Sequence, residues 1–263
     1  AQLPAVIVDV MRAGPNLGTI GPSQSDYFQA TRGGGHGDYR TVVLAPCSIQ
    51  ETVDLMQEAF DIADQYRNPV ILLADGMIGQ MMEPIEWHDI PKRELPEKTW
   101  ATDGHDNKVP HRTISAVFGD NYVCEEVLNK PLAAKYRLIA ANEVRYEEKD
   151  TADAEVVLVA YGTMSRVSER ACEILREQGI RAGLFRPIVL WPYPEARLHE
   201  LAAQEQTKCF LSVEMSDGQM IDDVRISVAG QKPVSFVGRN GGVVPTPDEI
   251  VDAVKTALAE VKA

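Results

Sequence analysis

At 263 residues the chain has room for one large or two modest domains, and its 44% hydrophobic and 25% charged residues are those of an ordinary globular protein. A net charge of −13 argues against a nucleic-acid binder, which needs clustered Lys and Arg, and makes any anion site depend on local cations. No run reaches the ~20 apolar residues of a membrane helix. The start, AQLPAVIVDV, has no basic region followed by a long apolar core, so a cytoplasmic location is expected. Cys47, Cys124, Cys172 and Cys209 lie far apart with no C-x-x-C, which fits buried thiols in a reducing compartment.

The β-branched run 6–10 predicts a strand buried on both faces. A loop follows from Arg12, in which Gly14, Pro15, Gly18, Gly21 and Pro22 forbid regular structure. Ser23 then opens a predicted helix over 24–30, with Asp26 as the acidic partner of a capping box. In an α/β sheet, ligands gather at this end of the strands. Arg12 can therefore meet an anionic substrate there, or it can be a solvated arginine on a tight connection. Gly33-Gly34-Gly35-His36-Gly37 permits a close backbone approach, and His36 beside Asp38 is either a substrate-side donor or an exposed loop residue.

Residues 42–45 form the next predicted strand; Ser48-Ile49-Gln50-Glu51 is a capping box for a helix to about Tyr66, with Val53, Met56, Ala59, Phe60 and Ala63 on one face. Asn68-Pro69 breaks it, and 70–74 is a third buried strand ending in Asp75-Gly76. Asp75 reads as catalytic or as a turn former before glycine, and Met77, Met81 and Met82 as a pliable packing surface. Strand, helix, strand predicts a parallel sheet.

From 88 to 123 the pattern fails, and Pro91, Pro96, Asp103-Gly104 and Pro110 mark a long connection. The spacing of His88, His105 and His111 matches no usual zinc pattern, so no metal site is expected there. Helical spacing returns over 131–148. A second α/β unit follows, with strands at 156–161, 181–185, 209–213 and 234–237 and helices between them. Gly162-Thr163-Met164-Ser165 is a helix start that can hold an anion or simply begin a helix. Trp191-Pro192-Tyr193-Pro194 suits a fixed turn at an interface, and Thr246-Pro247-Asp248-Glu249 starts the last helix.

Met11-Arg12-Ala13-Gly14-Pro15-Asn16-Leu17-Gly18, then Gly21-Pro22-Ser23 and His36-Gly37-Asp38, resembles the α subunit of 2-oxoacid:ferredoxin oxidoreductases, most of all the branched-chain (2-ketoisovalerate) type. The likeness covers nearly the whole chain and returns at Arg186-Pro187, Trp191-Pro192 and Glu214 with Gly218-Gln219-Met220. Leu17 stands where relatives acting on 2-oxoglutarate tend to carry a threonine.

The resemblance implies an α/β fold: a partial thiamine-diphosphate pyrimidine-type module over 1–87, a linker with a helix over 88–150, and a transketolase C-terminal-like open sheet covered by helices over 151–263. An upstream Tyr-Pro-Ile-Thr-Pro motif and activating glutamate of the family are not in this sequence, so the chain is expected to be the C-terminal part of a longer subunit, inactive alone. The implied reaction is oxidative decarboxylation of a 2-oxo acid to an acyl-CoA, with electrons leaving through iron–sulfur centres to ferredoxin. Arg12 is the expected catalytic and substrate-carboxylate residue, with Asn16 and His36 as further substrate-binding residues. The resemblance implies thiamine diphosphate and Mg2+ at a subunit interface, mostly held by a partner chain, and clusters on partner subunits, because the isolated cysteines here offer no cluster site. The expected partners are the β and cluster-bearing subunits, with homo-oligomers also open. A β subunit of a lipoamide-linked 2-oxoacid dehydrogenase and a non-catalytic assembly subunit are the alternatives.

Overall fold

The computed structural model describes residues 1–104 and 110–262, so His105 lies outside the described residues. In chain order the elements are β1 (Ala5–Met11), α1 (Tyr27–Thr31), β2 (Val42–Leu44), α2 (Ile49–Tyr66), β3 (Pro69–Asp75) and α3 (Gly76–Gln80). After the irregular connection come α4 (Asn121–Cys124), one π turn (Glu125–Asn129), α5 (Lys130–Asn142) and β4 (Tyr146–Lys149). The remainder is β5 (Val156–Val159), α6 (Gly162–Glu177), β6 (Ala182–Pro187), β7 (Val189–Trp191), α7 (Glu195–Ala203), β8 (Cys209–Glu214), α8 (Met220–Val228), β9 (Val234–Gly238) and α9 (Pro247–Lys262).

Two sheets result. The first has the order β1-β3-β2-β7, with β1, β2 and β3 parallel and β7 antiparallel to β2. The second has the order β4-β6-β5-β8-β9, parallel except for β4. The predicted turn at Trp191-Pro192 is thus half strand: the C-terminal part of the chain lends β7 to the first sheet. Period-2 alternation sends Val43 and Leu73 to one side and Val42, Leu44 and Leu72 to the other. Val157 and Val159 likewise face the core shared with Val43, Leu73 and Tyr27, whereas Val156 and Leu158 pack under α6 and α9. One core therefore runs between the two sheets.

Local signals explain the long helices. Ser48 Oγ accepts from Glu51 N at 3.1 Å, and α2 ends at left-handed Arg67 just before Pro69. Its buried stripe is Leu55, Ala59, Ile62, Ala63 and Tyr66, rotated from the expected one, and Phe60 stays 59% exposed. α9 has a full capping box: Glu249 N donates to Thr246 Oγ1 at 3.3 Å and Thr246 N to the Glu249 carboxylate at 2.8 Å. The helix expected to reach 148 ends instead at Asn142. There Glu143 turns inward to accept from Tyr66 Oη and Arg93, and Tyr146 stacks on Phe185 at 5.1 Å as β4 begins.

β1 also departs from expectation. It is an edge strand pairing only with β3 among the described residues, and Ile7, Val8 and Val10 are each about half exposed. A continuous apolar run identifies a strand without saying what lies beside it. An open apolar edge is a template for another chain. This polypeptide by itself is therefore expected to self-associate, and Val8→Lys to reduce the association in light scattering. A monodisperse monomer of the unchanged chain would contradict this.

Candidate functional site

The β1–β3 register places Met11 opposite Asp75, so the loop that starts at Arg12 leaves the sheet beside Asp75-Gly76. Gly76 fits closely here: a methyl group on it would lie 3.0 Å from both Met11 O and Pro22 Cα. The loop closes on itself. Ala13 N donates to Gly21 O (2.9 Å), Thr19 N to Ala13 O (3.1 Å) and Gly21 N to Thr19 Oγ1 (3.0 Å). Asn16 and Gly18 turn the chain through positive φ, and a methyl on Gly18 would meet Ala13 O at 1.9 Å.

Arg12 occupies the middle of this loop. Its Nη1 donates to Ala13 O (3.0 Å) and Leu17 O (2.5 Å), and Nη2 donates to Asn16 O (3.2 Å). A guanidinium has five N–H donors. Nε and one Nη2 hydrogen have no partner among the described residues, and the side chain is exposed. The loop carbonyls thus fix the plane of the group and leave donors for an external acceptor. Asp26 is near enough for the Arg12 cation to pull its carboxyl down, although burial has the larger effect and leaves it above the usual carboxylate range. Burial raises the Asp9 carboxyl too, and the Asp26 charge adds to it.

The second sheet clamps this end of the first. Asp75 is buried and accepts from Thr163 N (2.7 Å), Thr163 Oγ1 (2.6 Å) and Ile78 N (3.2 Å). It caps α3 and also fills the helix start at Gly162-Thr163, so the anion held there belongs to the chain itself. Burial nevertheless pushes the Asp75 carboxyl up. Gln24 is fully buried: Nε2 donates to Tyr161 O (2.9 Å), Oε1 accepts from Met215 N (3.0 Å) and its own N donates to Met215 O (2.8 Å). This tertiary pairing displaces the predicted helix start. Ser23 bonds Ser25 N and Met215 O instead of capping a helix, and α1 begins only at Tyr27.

Glu214, also fully buried, accepts from Ser212 Oγ, Ser216 Oγ and the backbone N of Gln219, Met220 and Ile221 at 2.8–3.0 Å. It caps α8 and orients Gln219, whose side chain donates to Ser25 O (2.6 Å) and accepts from Phe28 N (2.8 Å). The Glu214…Gln219 motif is therefore a seam between the two sheets. Local patterns mark neither Gln24 nor Gln219, since their partners lie about 190 residues away.

The structure brings Arg12 and Asn16 together in one loop, the contact running through the Asn16 carbonyl while both side chains are exposed. His36 is exposed on the neighbouring glycine loop, and no described contact joins it to Arg12 or Asn16. A cavity of about 790 Å3 lies elsewhere, lined by Arg32, Arg40, Trp191, Pro194 and Arg197 among others, and Arg12, Asn16 and His36 are outside its lining.

A glycine-rich loop with a pre-oriented arginine at the carboxyl end of a parallel strand is the context for comparison with known proteins. Residues 1–150 match the family described as "Pyruvate flavodoxin/ferredoxin oxidoreductase, thiamine diP-bdg". The chain belongs to this family. Residues 154–250 match a second part of the same oxidoreductases, "Pyruvate:ferredoxin oxidoreductase core domain II". A ketoisovalerate oxidoreductase subunit VorB of Methanothermobacter marburgensis is 50% identical over 99% of this chain and 72% of that protein. A 2-oxoglutarate synthase subunit KorA of the same organism is 32% identical over 96% of this chain and 73% of that protein. The fold matches 2-oxoglutarate:ferredoxin oxidoreductase from Magnetococcus marinus, solved with 2-oxoglutarate, coenzyme A and succinyl-CoA bound, at a TM-score of 0.81 and 23% identity. That match covers 98% of this chain and 49% of the other, so the chain spans about half of that solved relative. These matches bear out the 2-oxoacid:ferredoxin oxidoreductase resemblance and the α/β fold class, and the lipoamide-linked alternative is not favoured. Among the described residues, no helix is long and apolar enough to cross a membrane.

Proposed function

We propose that the chain is part of a cytoplasmic enzyme complex that oxidatively decarboxylates branched-chain 2-oxo acids. In that reaction a 2-oxo acid and coenzyme A give an acyl-CoA and carbon dioxide, and two electrons pass to ferredoxin. Within it, residues 1–87 serve as the partial pyrimidine-type module, 88–150 as the linker and 151–263 as the C-terminal sheet unit. The observation that carries the reading is the Arg12 guanidinium, held in plane by its own loop with donors still available.

Arg12 is the substrate-carboxylate residue, presenting a planar fork that binds and orients the acid at two points. Asn16 lines the same subsite, and His36 contributes a donor from the neighbouring loop. The family's thiamine diphosphate and Mg2+ are a different matter. No group of three His, Cys, Asp or Glu side chains converges among the described residues, and the Asp75 and Glu214 carboxylates are already committed to internal donors. The residues here do not by themselves fit a complete Mg2+–diphosphate site, so we place thiamine diphosphate and Mg2+ at a subunit interface, mostly held by a partner chain, and the iron–sulfur clusters on partner subunits.

The side-chain preference follows from the loop's chemistry. Over 12–22 Arg12 is the sole charged residue, while Leu17 and Ile20 are 84% and 87% exposed. Such a loop suits a monocarboxylate with an aliphatic branch and offers no second cation to a dicarboxylate. The purified complex is expected to prefer 2-ketoisovalerate over 2-oxoglutarate by at least about tenfold in kcat/KM. Equal values, measured as ferredoxin reduction, would defeat the substrate assignment.

A further inference from the structure

The backbone of the Arg12 loop meets that of the loop between β9 and α9. A methyl group on Gly21 would lie 2.7 Å from Gly242 Cα, and one on Gly242 would lie 3.0 Å from Gly21 Cα. Gly242 also sits at φ +91°, a conformation that side-chain-bearing residues rarely adopt. It follows β9 in the loop before α9, far from Arg12 in sequence. Gly21 O in turn accepts from Ala13 N at 2.9 Å, the residue next to Arg12. Thr19 Oγ1, which accepts from Gly21 N, would be 3.1 Å from a methyl on either glycine. The two backbones are close enough that a side chain on either glycine must push the other, and Gly21 is bonded to Ala13, next to Arg12.

We infer that Gly242 is a positioning residue for the Arg12 subsite: the C-terminal unit sets where the guanidinium stands. This rests on Arg12 being the carboxylate-binding residue. A group that orients substrate loses much of its effect when misplaced by about 1 Å. If the carboxylate is held equally before and during reaction, the loss falls on KM and spares kcat.

The test uses the complete enzyme complex with Gly242→Ala, the reciprocal Gly21→Ala, Arg12→Lys, and Gly119→Ala as a control at a position with open space around it. Gly242→Ala is expected to raise the 2-oxo acid KM about tenfold with kcat within about twofold. Hydrogen exchange at the Ala13 and Thr19 amides is expected to quicken, and Gly119→Ala to change neither. Gly21→Ala forms the same clash without a positive φ and decides the matter if Gly242→Ala does not fold. A fall in kcat with unchanged KM would show a merely structural role and overturn the inference. Unchanged KM in both glycine variants, with KM raised in Arg12→Lys, would overturn the positioning role alone. Unchanged kcat/KM in Arg12→Lys would overturn both the Arg12 reading and the inference built on it.

Discussion

Arg12→Lys in the complete enzyme is expected to lower kcat/KM for 2-oxo acids about ten- to hundredfold, and Arg12→Ala to lower it further. Three of the five guanidinium donors hold Ala13, Leu17 and Asn16 carbonyls, which leaves a planar edge for the substrate. A lysine ammonium has three donors and no plane. It cannot span the same three carbonyls and still present two parallel bonds to a carboxylate. Hydrogen bonds to charged groups are worth about 1.5–3 kcal/mol, which sets the size of the loss. A contribution to loop stability accompanies the substrate role, because the same guanidinium holds three loop carbonyls. Steady-state kinetics beside a melting curve separates the two. A large drop in melting temperature with unchanged kcat/KM would leave Arg12 as a loop tie and nothing more.

The largest effect on stability is expected at Glu214. Its carboxylate, itself fully buried, accepts from three consecutive backbone N–H groups at the start of α8 and from two buried serine hydroxyls. Glu214→Ala leaves these donors buried without an acceptor, a change that costs about 3–5 kcal/mol when a buried charge network is broken. At about 2–4 °C per kcal/mol for a chain of this size, the thermal midpoint of the subunit should fall by about 10 °C. Glu214→Gln should recover little, because an amide nitrogen facing backbone N–H groups opposes donor with donor. Gln219 loses its orientation with the cap, so Ser25 and Phe28 lose their partners as well. A midpoint within about 2 °C of the unchanged protein would contradict the account of this seam.

What could be read from the chain depended on how local its causes are. Ser48 with Glu51 and Thr246 with Glu249 announced α2 and α9, because a cap is formed by residues three apart. The apolar runs of β2, β3, β5 and β8 were legible for a similar reason. Ser23 misled, since the same hydroxyl that could cap a helix is drawn off by Met215 O. The edge position of β1 and the strand pairing of Val189–Trp191 with β2 were hidden, as both depend on which segments lie alongside. The Arg12 loop stood out through its glycines, prolines and lone cation. Gly242 and Gln24, which pack beside that loop, did not, because each meets its partner from the other end of the chain, and Gln219 was visible only as part of a family motif, without its bonds to Ser25 and Phe28.

The central claim is that this chain supplies the substrate-carboxylate subsite while the cofactor is held mainly elsewhere. It is tested most directly by parallel binding titrations of a 2-oxo acid and of thiamine diphosphate on the Arg12→Ala complex. The account predicts a dissociation constant for the 2-oxo acid raised at least about tenfold, the loss of one charge-assisted pair, with thiamine diphosphate affinity unchanged. Equal weakening of both ligands would contradict it.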